Sequence, residues 1–415
     1  MKQRVILHCD LNCYFASVEM LYHPELREVP MAIAGDPENR HGIILTKNAL
    51  AKKAGVKTAE PIWQAKKKCP NLVIRQPDYE SYEYFSKKVK ALYYEYTDKV
   101  ESFGLDECWL DITDSIKLFG SIQNIVIDII KRIQNEIGLT LSIGVSNNKI
   151  WAKLGSDIAG ESEYYVISKL SDIENLPASS LLNVGSHTFE KLKNYGLITI
   201  GDIAKCSSNY LKGIFGKWGE MMWYFANGYD LSEVSGYDEP YEVVKSIGNS
   251  STTIRDIYDL DDLKVVLTIL SDSVGARVKE AGMYFKTVHL YLRNKKLEWR
   301  TMQVTLKENS DLVTTIFNTA IELFKTNGLD FSVPYRSIGV SVSNLSFKKE
   351  ASSIRLFEDD SYSLKEKQMD VALEKIRSRY GYHSVAKLRV MEDTELSNFD
   401  IKNEHTVFPV SYFRK

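Results

Sequence analysis

Two acidic motifs about a hundred residues apart constrain this chain more than any other feature. The first runs Val5-Ile6-Leu7-His8-Cys9-Asp10-Leu11-Asn12-Cys13-Tyr14-Phe15-Ala16-Ser17-Val18-Glu19. The second runs Glu101-Ser102-Phe103-Gly104-Leu105-Asp106-Glu107-Cys108-Trp109-Leu110-Asp111-Ile112. Each sets a carboxylate at the end of an apolar, strand-like run, where burial is costly without a positive partner. If the two strands are neighbours in one sheet, Asp10, Asp106 and Glu107 converge on one point. Three ionised carboxylates share such a point only when divalent cations occupy it. A pair of magnesium ions about 3.5–4 Å apart is the usual occupant in phosphoryl transfer. The motifs therefore predict two-metal nucleotidyl transfer.

A chain of 415 residues is too long for one core, and its length predicts roughly two to four domains. The formal net charge of −2 argues against a histone-like binder. It leaves nucleic acid open, because local patches govern that contact. Cys9, Cys13, Cys69, Cys108 and Cys206 include no Cys-x-x-Cys pair, which argues against zinc and a disulfide scaffold and suits a reducing cytoplasm. Met1 leads straight into a strand, so no signal peptide is expected, and no apolar run approaches the roughly 18 residues of a membrane span.

Periodicity predicts a strand over 4–10, a helix from Tyr14 to about Leu21, and short strands at Pro30–Ala34 and Gly42–Thr46 with two basic helical pieces between 48 and 69. A helical pattern at 79–97, a hairpin through 100–112, an amphipathic helix at 121–137, a strand at 140–145 and a helix to Ile158 follow. This order suits a mixed sheet with helices on one face and an insertion at 23–78. Beyond Pro177, short helices with glycine turns (Val184-Gly185, Tyr195-Gly196) resemble a helix-hairpin-helix, whose turn amides face a phosphate. Residues 235–240 read as a linker. Residues 243–349 read as a separate α+β module with 15 Lys and Arg against 11 Asp and Glu. The tail from 350 holds one helix, Ser363–Tyr380, and is expected to end loosely.

In this order the motifs resemble the Y-family translesion DNA polymerases, in particular the bacterial polymerase IV group, from Arg4 to about Arg355. The resemblance rests on Asp10–Glu19, Leu105-Asp106-Glu107 with Leu110-Asp111-Ile112, Ser142-Ile143-Gly144-Val145-Ser146-Asn147-Asn148-Lys149, the hairpin at 183–193, and Lys245-Ser246-Ile247-Gly248. It implies an α+β, multidomain right-hand polymerase. A mixed-sheet palm would span 1–22 and 79–167, small fingers 23–78, a helix-hairpin-helix thumb 168–235, a linker 236–242 and a little finger 243–349. The tail 350–415 would follow.

The resemblance also implies two Mg2+ ions per active site, held by Asp10, Asp106, Glu107 and the Leu11 carbonyl, with the three acids catalytic. Phe15 falls at the steric gate against a ribose 2′-hydroxyl. Tyr14, Phe15, Thr46 and Lys52 would bind the nucleotide. Gly185, Thr188, Lys191, Lys245, Arg293, Lys295, Lys296, Arg300 and Arg336 would contact DNA. Primer-template DNA and deoxynucleoside triphosphates are the implied partners of a cytoplasmic monomer with no membrane role. Ser353-Ile354-Arg355-Leu356-Phe357 resembles a sliding-clamp peptide without its leading glutamine, with Leu356 and Phe357 as the contact residues.

The chain departs from the family where a Tyr and an Arg of the fingers and a Lys near the palm's end usually grip the triphosphate. Ala49, Lys52 and Gly160 stand there, leaving Lys52, Lys149 and Lys153 as the nearby cations. These losses motivate a second reading, a DNA-binding accessory protein on a polymerase scaffold. A nucleotide cyclase would explain the acids but leaves the hairpin and the basic module without a role. Taken singly, Asp10 is an N-cap and Phe15 a packing residue. A dehalogenase-type nucleophile wants an acid where Asn12 stands. His8 and His187 read as packing and turn residues, Asp111 as a local backbone acceptor, and the Tyr79–Tyr96 aromatics as helix packing.

Overall fold

The computed structural model describes residues 4–36, 42–236, 244–347, 360–381 and 384–397. They form two compact units, one built from 4–35 and 43–236 and the other from 244–397. In chain order the first unit contains β1 (Ile6–Leu11), α1 (Tyr14–Tyr22), β2 (Met31–Ala34), β3 (Ile44–Lys47), α2 (Ala49–Lys53), α3 (Ile62–Lys68) and β4 (Val73–Arg75). It continues with α4 (Tyr79–Tyr94), β5 (Val100–Ser102), β6 (Glu107–Asp111), α5 (Ile116–Phe119), α6 (Ile122–Arg132), β7 (Leu141–Ser146), α7 (Lys149–Ile158) and β8 (Tyr164–Val166). Four short helices close it: α8 (Ser186–Lys193), α9 (Ile200–Lys205), α10 (Ser208–Phe215) and α11 (Lys217–Ala226).

The main sheet runs β5-β6-β1-β7-β8, with β1 central and antiparallel to both neighbours. Alternation along β1 decides which side chains meet. Leu7, Cys9 and Leu11 enter a core shared with Val89 and Leu92 of α4 and Ile125 and Ile129 of α6. Ile6 and, by alternation, His8 and Asp10 face the opposite way; Ile6 clusters there with Trp109 and Ala152 of α7. Helices therefore cover both faces rather than the single face expected, because β1 is buried on both sides through His8.

Glycine sets how close α7 comes. A Cβ at Gly144 would stand 1.8 Å from the Ala152 carbonyl oxygen and 2.4 Å from the Ser156 amide nitrogen. A Cβ at Gly155 would lie 2.9 Å from the Gly144 Cα. Helix and strand thus touch backbone to backbone.

The segment inserted after α1 forms its own sheet, β3-β2-β4, over a small core that includes Ala32, Ile44, Ala51 and Val56. Asn48 caps α2 by accepting from the Ala51 amide at 3.0 Å. Helices α8–α11 pack around Leu192, Ile200, Leu211 and Met222. Asn183 adopts φ 65°, a conformation asparagine tolerates better than most residues.

The second unit is β9 (Ser246–Ile257), α12 (Leu260–Glu280), β10 (Phe285–Asn294), β11 (Trp299–Ser310), α13 (Val313–Thr326) and β12 (Tyr335–Ser343), followed by α14 (Asp360–Tyr380). Its sheet runs β11-β10-β12-β9, wholly antiparallel, with α12 and α13 covering the face that carries Val288, Leu290, Leu292, Ile338 and Val340.

The described part of the tail is tied to the second unit, while the end expected to be loose, beyond residue 397, lies outside the described residues. Lys279 pairs with Asp370 of α14 at 2.6 Å, and buried Asp272 holds Arg377 at 3.1 Å and Lys387 at 2.7 Å. Leu396 is 1% exposed within the core of this unit. Helix α14 turns acids and bases inward while Met369, Ile376 and Tyr380 stay exposed, so hydrophobic patterning gives no sign of the docking. Leu396→Ala should therefore destabilise this unit by about 2–3 kcal/mol, the ordinary cost of emptying a buried leucine site. Urea denaturation checks it, and an unchanged midpoint would show the tail to be merely tethered.

Candidate active site

Cross-strand register builds the site. Asp10 of β1 stands opposite Glu107 of β6 and opposite Ser142 of β7. The Leu11 amide donates to the Asp106 carbonyl at 3.1 Å, tying the end of β1 to the turn that carries the second acid. Burial, then the neighbouring Glu107 and Asp106, push the Asp10 carboxyl up to about 8. Burial and Glu107 raise Asp106 to about 6. Burial pushes Glu107 upward too, but His8 and the Lys153 ammonium overturn that and hold it at about 2.

The groups that hold Glu107 come from α7 and β1. Lys153 Nζ donates to Glu107 Oε2 at 2.7 Å. His8 Nε2 lies 3.2 Å from the same oxygen without the alignment of a hydrogen bond, so the ammonium is the stronger partner. His8 Nδ1 meets Ser156 Oγ at 2.7 Å, and Ser156 Oγ donates to the Lys153 carbonyl at 2.7 Å. Sequence reasoning took His8 for a packing residue. The signal that finds its role is its position two residues before Asp10, on the same face of the strand.

Among the described residues no three His, Cys, Asp or Glu side chains stand together as a ready cation cage. The donor chemistry nevertheless fits a hard divalent ion: carboxylate oxygens at the end of β1 and the start of β6, with Asp10 and Asp106 raised by burial and by the neighbouring Glu107.

Of the cations weighed from sequence, Lys149 is spent elsewhere. Its ammonium donates to both oxygens of buried Glu101 at 2.7 Å and to the Glu233 carbonyl at 3.3 Å. The Ser235 amide donates to the same Glu101, and Val234 is buried beside Ile6 and Trp109, so the start of the expected linker is strapped to the sheet. Lys52 is exposed on α2 and, with Lys47, acts electrostatically on the Cys13 thiol. Thr46 lies in β3 opposite Ile33. Gly160 accepts from Ser142 Oγ at 3.0 Å, and a Cβ there would meet the Glu163 carboxylate at 2.5 Å.

Cys13 takes φ 49° at the start of α1, and no side chain caps that helix. Phe15 stacks on Tyr82 with ring centroids 4.3 Å apart and meets Tyr79 edge-on at 5.9 Å. Tyr14 is buried, its hydroxyl donating to the Tyr82 carbonyl. Asp111 accepts from the Thr113 amide at 3.0 Å, as a local backbone acceptor should.

Gly185 precedes α8, and Thr188 and Lys191 lie within it. The Lys191 ammonium folds back over Phe215 and onto the Ile214 carbonyl. In the second unit Lys245 is exposed just before β9, and Lys296 is exposed in the β10–β11 turn. Lys295 lies 3.8 Å from Asp256, and Arg293 stacks over Trp299. Arg300 pairs in register with buried Leu292, on the face opposite Arg293, so the hairpin's charges do not form one stripe. Arg336 is half-buried in β12. Leu356 and Phe357 lie outside the described residues.

Comparison with known proteins matches residues 9–157 to the impB/mucB/samB family and residues 244–356 to that family's C-terminal domain. The DNA polymerase IV of Acetivibrio thermocellus is 43% identical over 95% of this chain and 99% of its own length. That of Clostridium kluyveri is 36% identical over 91% and 96%, and the DNA polymerase IV 2 of Bacillus subtilis 34% over 92% and 93%. A chimeric Y-family DNA polymerase of known structure superposes with a TM-score of 0.72 at 22% identity, covering 83% of this chain and all of its own. No helix among the described residues is long and apolar enough to cross a membrane.

The raised Asp10 carboxyl has a measurable consequence for protein freed of divalent cations by chelation. Folded Asp10 keeps its proton to about pH 8, whereas the unfolded chain releases it near its ordinary 3.8. Its contribution to stability is therefore fully present below pH 3.8 and is lost as pH rises to about 8. Asp10→Asn, which mimics the neutral form, should raise the melting temperature at pH 8 and leave it unchanged near pH 4. Equal gains at both pH values would contradict the assignment.

Proposed function

The chain belongs to the impB/mucB/samB family of Y-family, polymerase IV-like proteins, and from that membership we propose a template-directed, low-fidelity DNA polymerase that carries out translesion synthesis by two-metal nucleotidyl transfer. The observation that carries this reading is the register of Asp10 against Glu107, with the Leu11–Asp106 link, which brings three acidic residues to the same end of the central strands. In this reading residues 1–22 and 79–167 are the palm, 23–78 the fingers, 168–235 the thumb and 243–349 the little finger.

Asp10, Asp106, Glu107 and the Leu11 carbonyl are the groups that would hold two Mg2+ ions. When bound, the ions neutralise triphosphate charge and make the primer 3′-hydroxyl a better nucleophile. The chain's own work is binding and orientation. The uncapped first turn of α1 offers the Tyr14 and Phe15 amides to phosphate oxygens, where the helix dipole favours negative charge. The Phe15 ring, held flat by Tyr82, excludes a ribose 2′-hydroxyl. Lys52 and Thr46 line the nucleotide from the fingers. Gly185, Thr188 and Lys191 of the thumb meet backbone phosphates, as do Lys245, Arg293, Lys295, Lys296, Arg300 and Arg336 of the little finger.

The Glu163 carboxylate beside Gly160 favours a second reading, in which nucleotide binding is so weak that the protein acts as a DNA-binding accessory. Primer extension with magnesium and all four deoxynucleotides separates the two. Extension should occur, and Asp106→Ala should lower it by about a thousandfold or more while retaining primer-template DNA. Retention without turnover in the wild type would move the accessory reading to first place. Phe15→Ala should admit ribonucleotides, read as a rise in their incorporation relative to deoxynucleotides. Unchanged sugar discrimination would remove Phe15 from the gate.

A further inference from the structure

Glu107 Oε2 is claimed from two sides. Lys153 Nζ reaches it at 2.7 Å and His8 Nε2 at 3.2 Å, while Glu107 remains 22% exposed. Lys153 is itself 14% exposed and lies 3.6 Å from its helical neighbour Asp157. Ser156 closes a ring, meeting His8 Nδ1 and donating to the Lys153 carbonyl. The ion pair is not needed to fasten α7 to the sheet. The Gly144–Gly155 contact does that, together with the Trp109 Nε1 bond to the Lys149 carbonyl at 2.9 Å.

We propose that Lys153 is the built-in counter-ion of the acid cluster, a positioning residue that fixes Glu107 through Oε2 and contends with a divalent cation for that carboxylate. This rests on the reading of Asp10, Asp106 and Glu107 as metal ligands. An ammonium at 2.7 Å repels any cation drawn to the same oxygen, so Lys153 lowers the cluster's affinity for divalent ions. It also denies Glu107 the freedom to turn away from the cluster, so it aids turnover while opposing binding. Those opposed effects separate it from a residue that only holds the fold together, whose loss would weaken both.

The test uses the full chain without DNA or nucleotide, titrated with Mn2+ and read by the electron paramagnetic resonance signal of the free ion. Lys153→Met should tighten the apparent Kd by roughly threefold or more, and Lys153→Arg, which keeps the charge, should stay at the wild-type value. In primer extension Lys153→Met should lose kcat with the deoxynucleotide KM little changed. Retention of primer-template DNA serves as the check on folding, and Lys153→Gln replaces the methionine variant if that one does not fold. An unchanged or weaker Mn2+ Kd in the folded, uncharged variant overturns the role of Lys153. Should wild-type protein bind no Mn2+, or Asp106→Ala bind it equally well, the ligand reading fails and this inference with it.

Discussion

With no Cβ on Gly144 or Gly155, α7 lies against β7 at backbone distance, and the polar groups beneath the acid cluster take their places from that contact. Lys153 and Ser156 project from the same stretch of helix, which is why one reaches Glu107 across β1 and the other reaches His8 within it. A methyl group at position 144 would meet backbone atoms of Ala152, Gly155 and Ser156 and so would have to move the helix itself. Since α7 also carries Trp151 and Lys149, which bond to the Phe225 and Glu233 carbonyls, such a shift would spread to the α11 end of the unit. Two absent side chains thus govern both the electrostatics of the cluster and the course of the chain leaving α11.

Electrostatically, three acids brought to one end of the central strands do not share one fate. Glu107 sits beside an ammonium and is held low, whereas Asp10 and Asp106 lack a comparably close cation and rise. The split follows from strand parity. Glu107 and Asp10 are register partners facing α7, and Lys153 extends from that helix to the β6 side of the pair. Burial alone would raise all three, so the asymmetry records where His8 and Lys153 were placed beside Glu107. It leaves a cluster already partly neutral, which lowers the self-repulsion that three full charges would impose on the sheet.

The two acidic motifs made the main sheet and the meeting of its carboxylates legible, because period-two alternation fixes faces and the motifs fix strand ends. The short helices with glycine turns beyond Pro177 were legible too, and Asn183 takes a positive φ just before α8. What sequence could not give was partnership. Lys149 and Lys153 are four residues apart on one helix, hence neighbours on one face, yet one pairs with Glu101 and the other with Glu107. Only the crossing point of α7 over the strands decides that. The helix of the tail was legible and its attachment was not: α14 docks through ion pairs and leaves apolar residues outside, the reverse of the pattern that marks a packed helix. Arg300 and Arg293 were grouped by their closeness in the hairpin, and strand parity sets them on opposite faces.

The altered triphosphate contacts acquire a physical meaning in this frame. Gly160 is the end of a short polar chain in which Asn12 Nδ2 donates to Ser142 Oγ, and Ser142 Oγ donates to the Gly160 carbonyl. That chain fixes the turn by its backbone and leaves the acids Glu161 and Glu163 beside it, so this wall of the proposed nucleotide site contributes negative charge. Positive charge comes instead from the opposite wall, where Lys47 and Lys52 act on Cys13 at the start of α1 and the helix dipole adds to them. A phosphate chain held from that wall is gripped by exposed, salt-screened lysines and backbone amides instead of a bidentate arginine. The expected result is looser nucleotide binding, while the acid cluster and its lysine, which lie on the other side of β1's end, keep their arrangement. Under the proposed function, the changes at Ala49, Lys52 and Gly160 bear on nucleotide affinity rather than on the acid cluster.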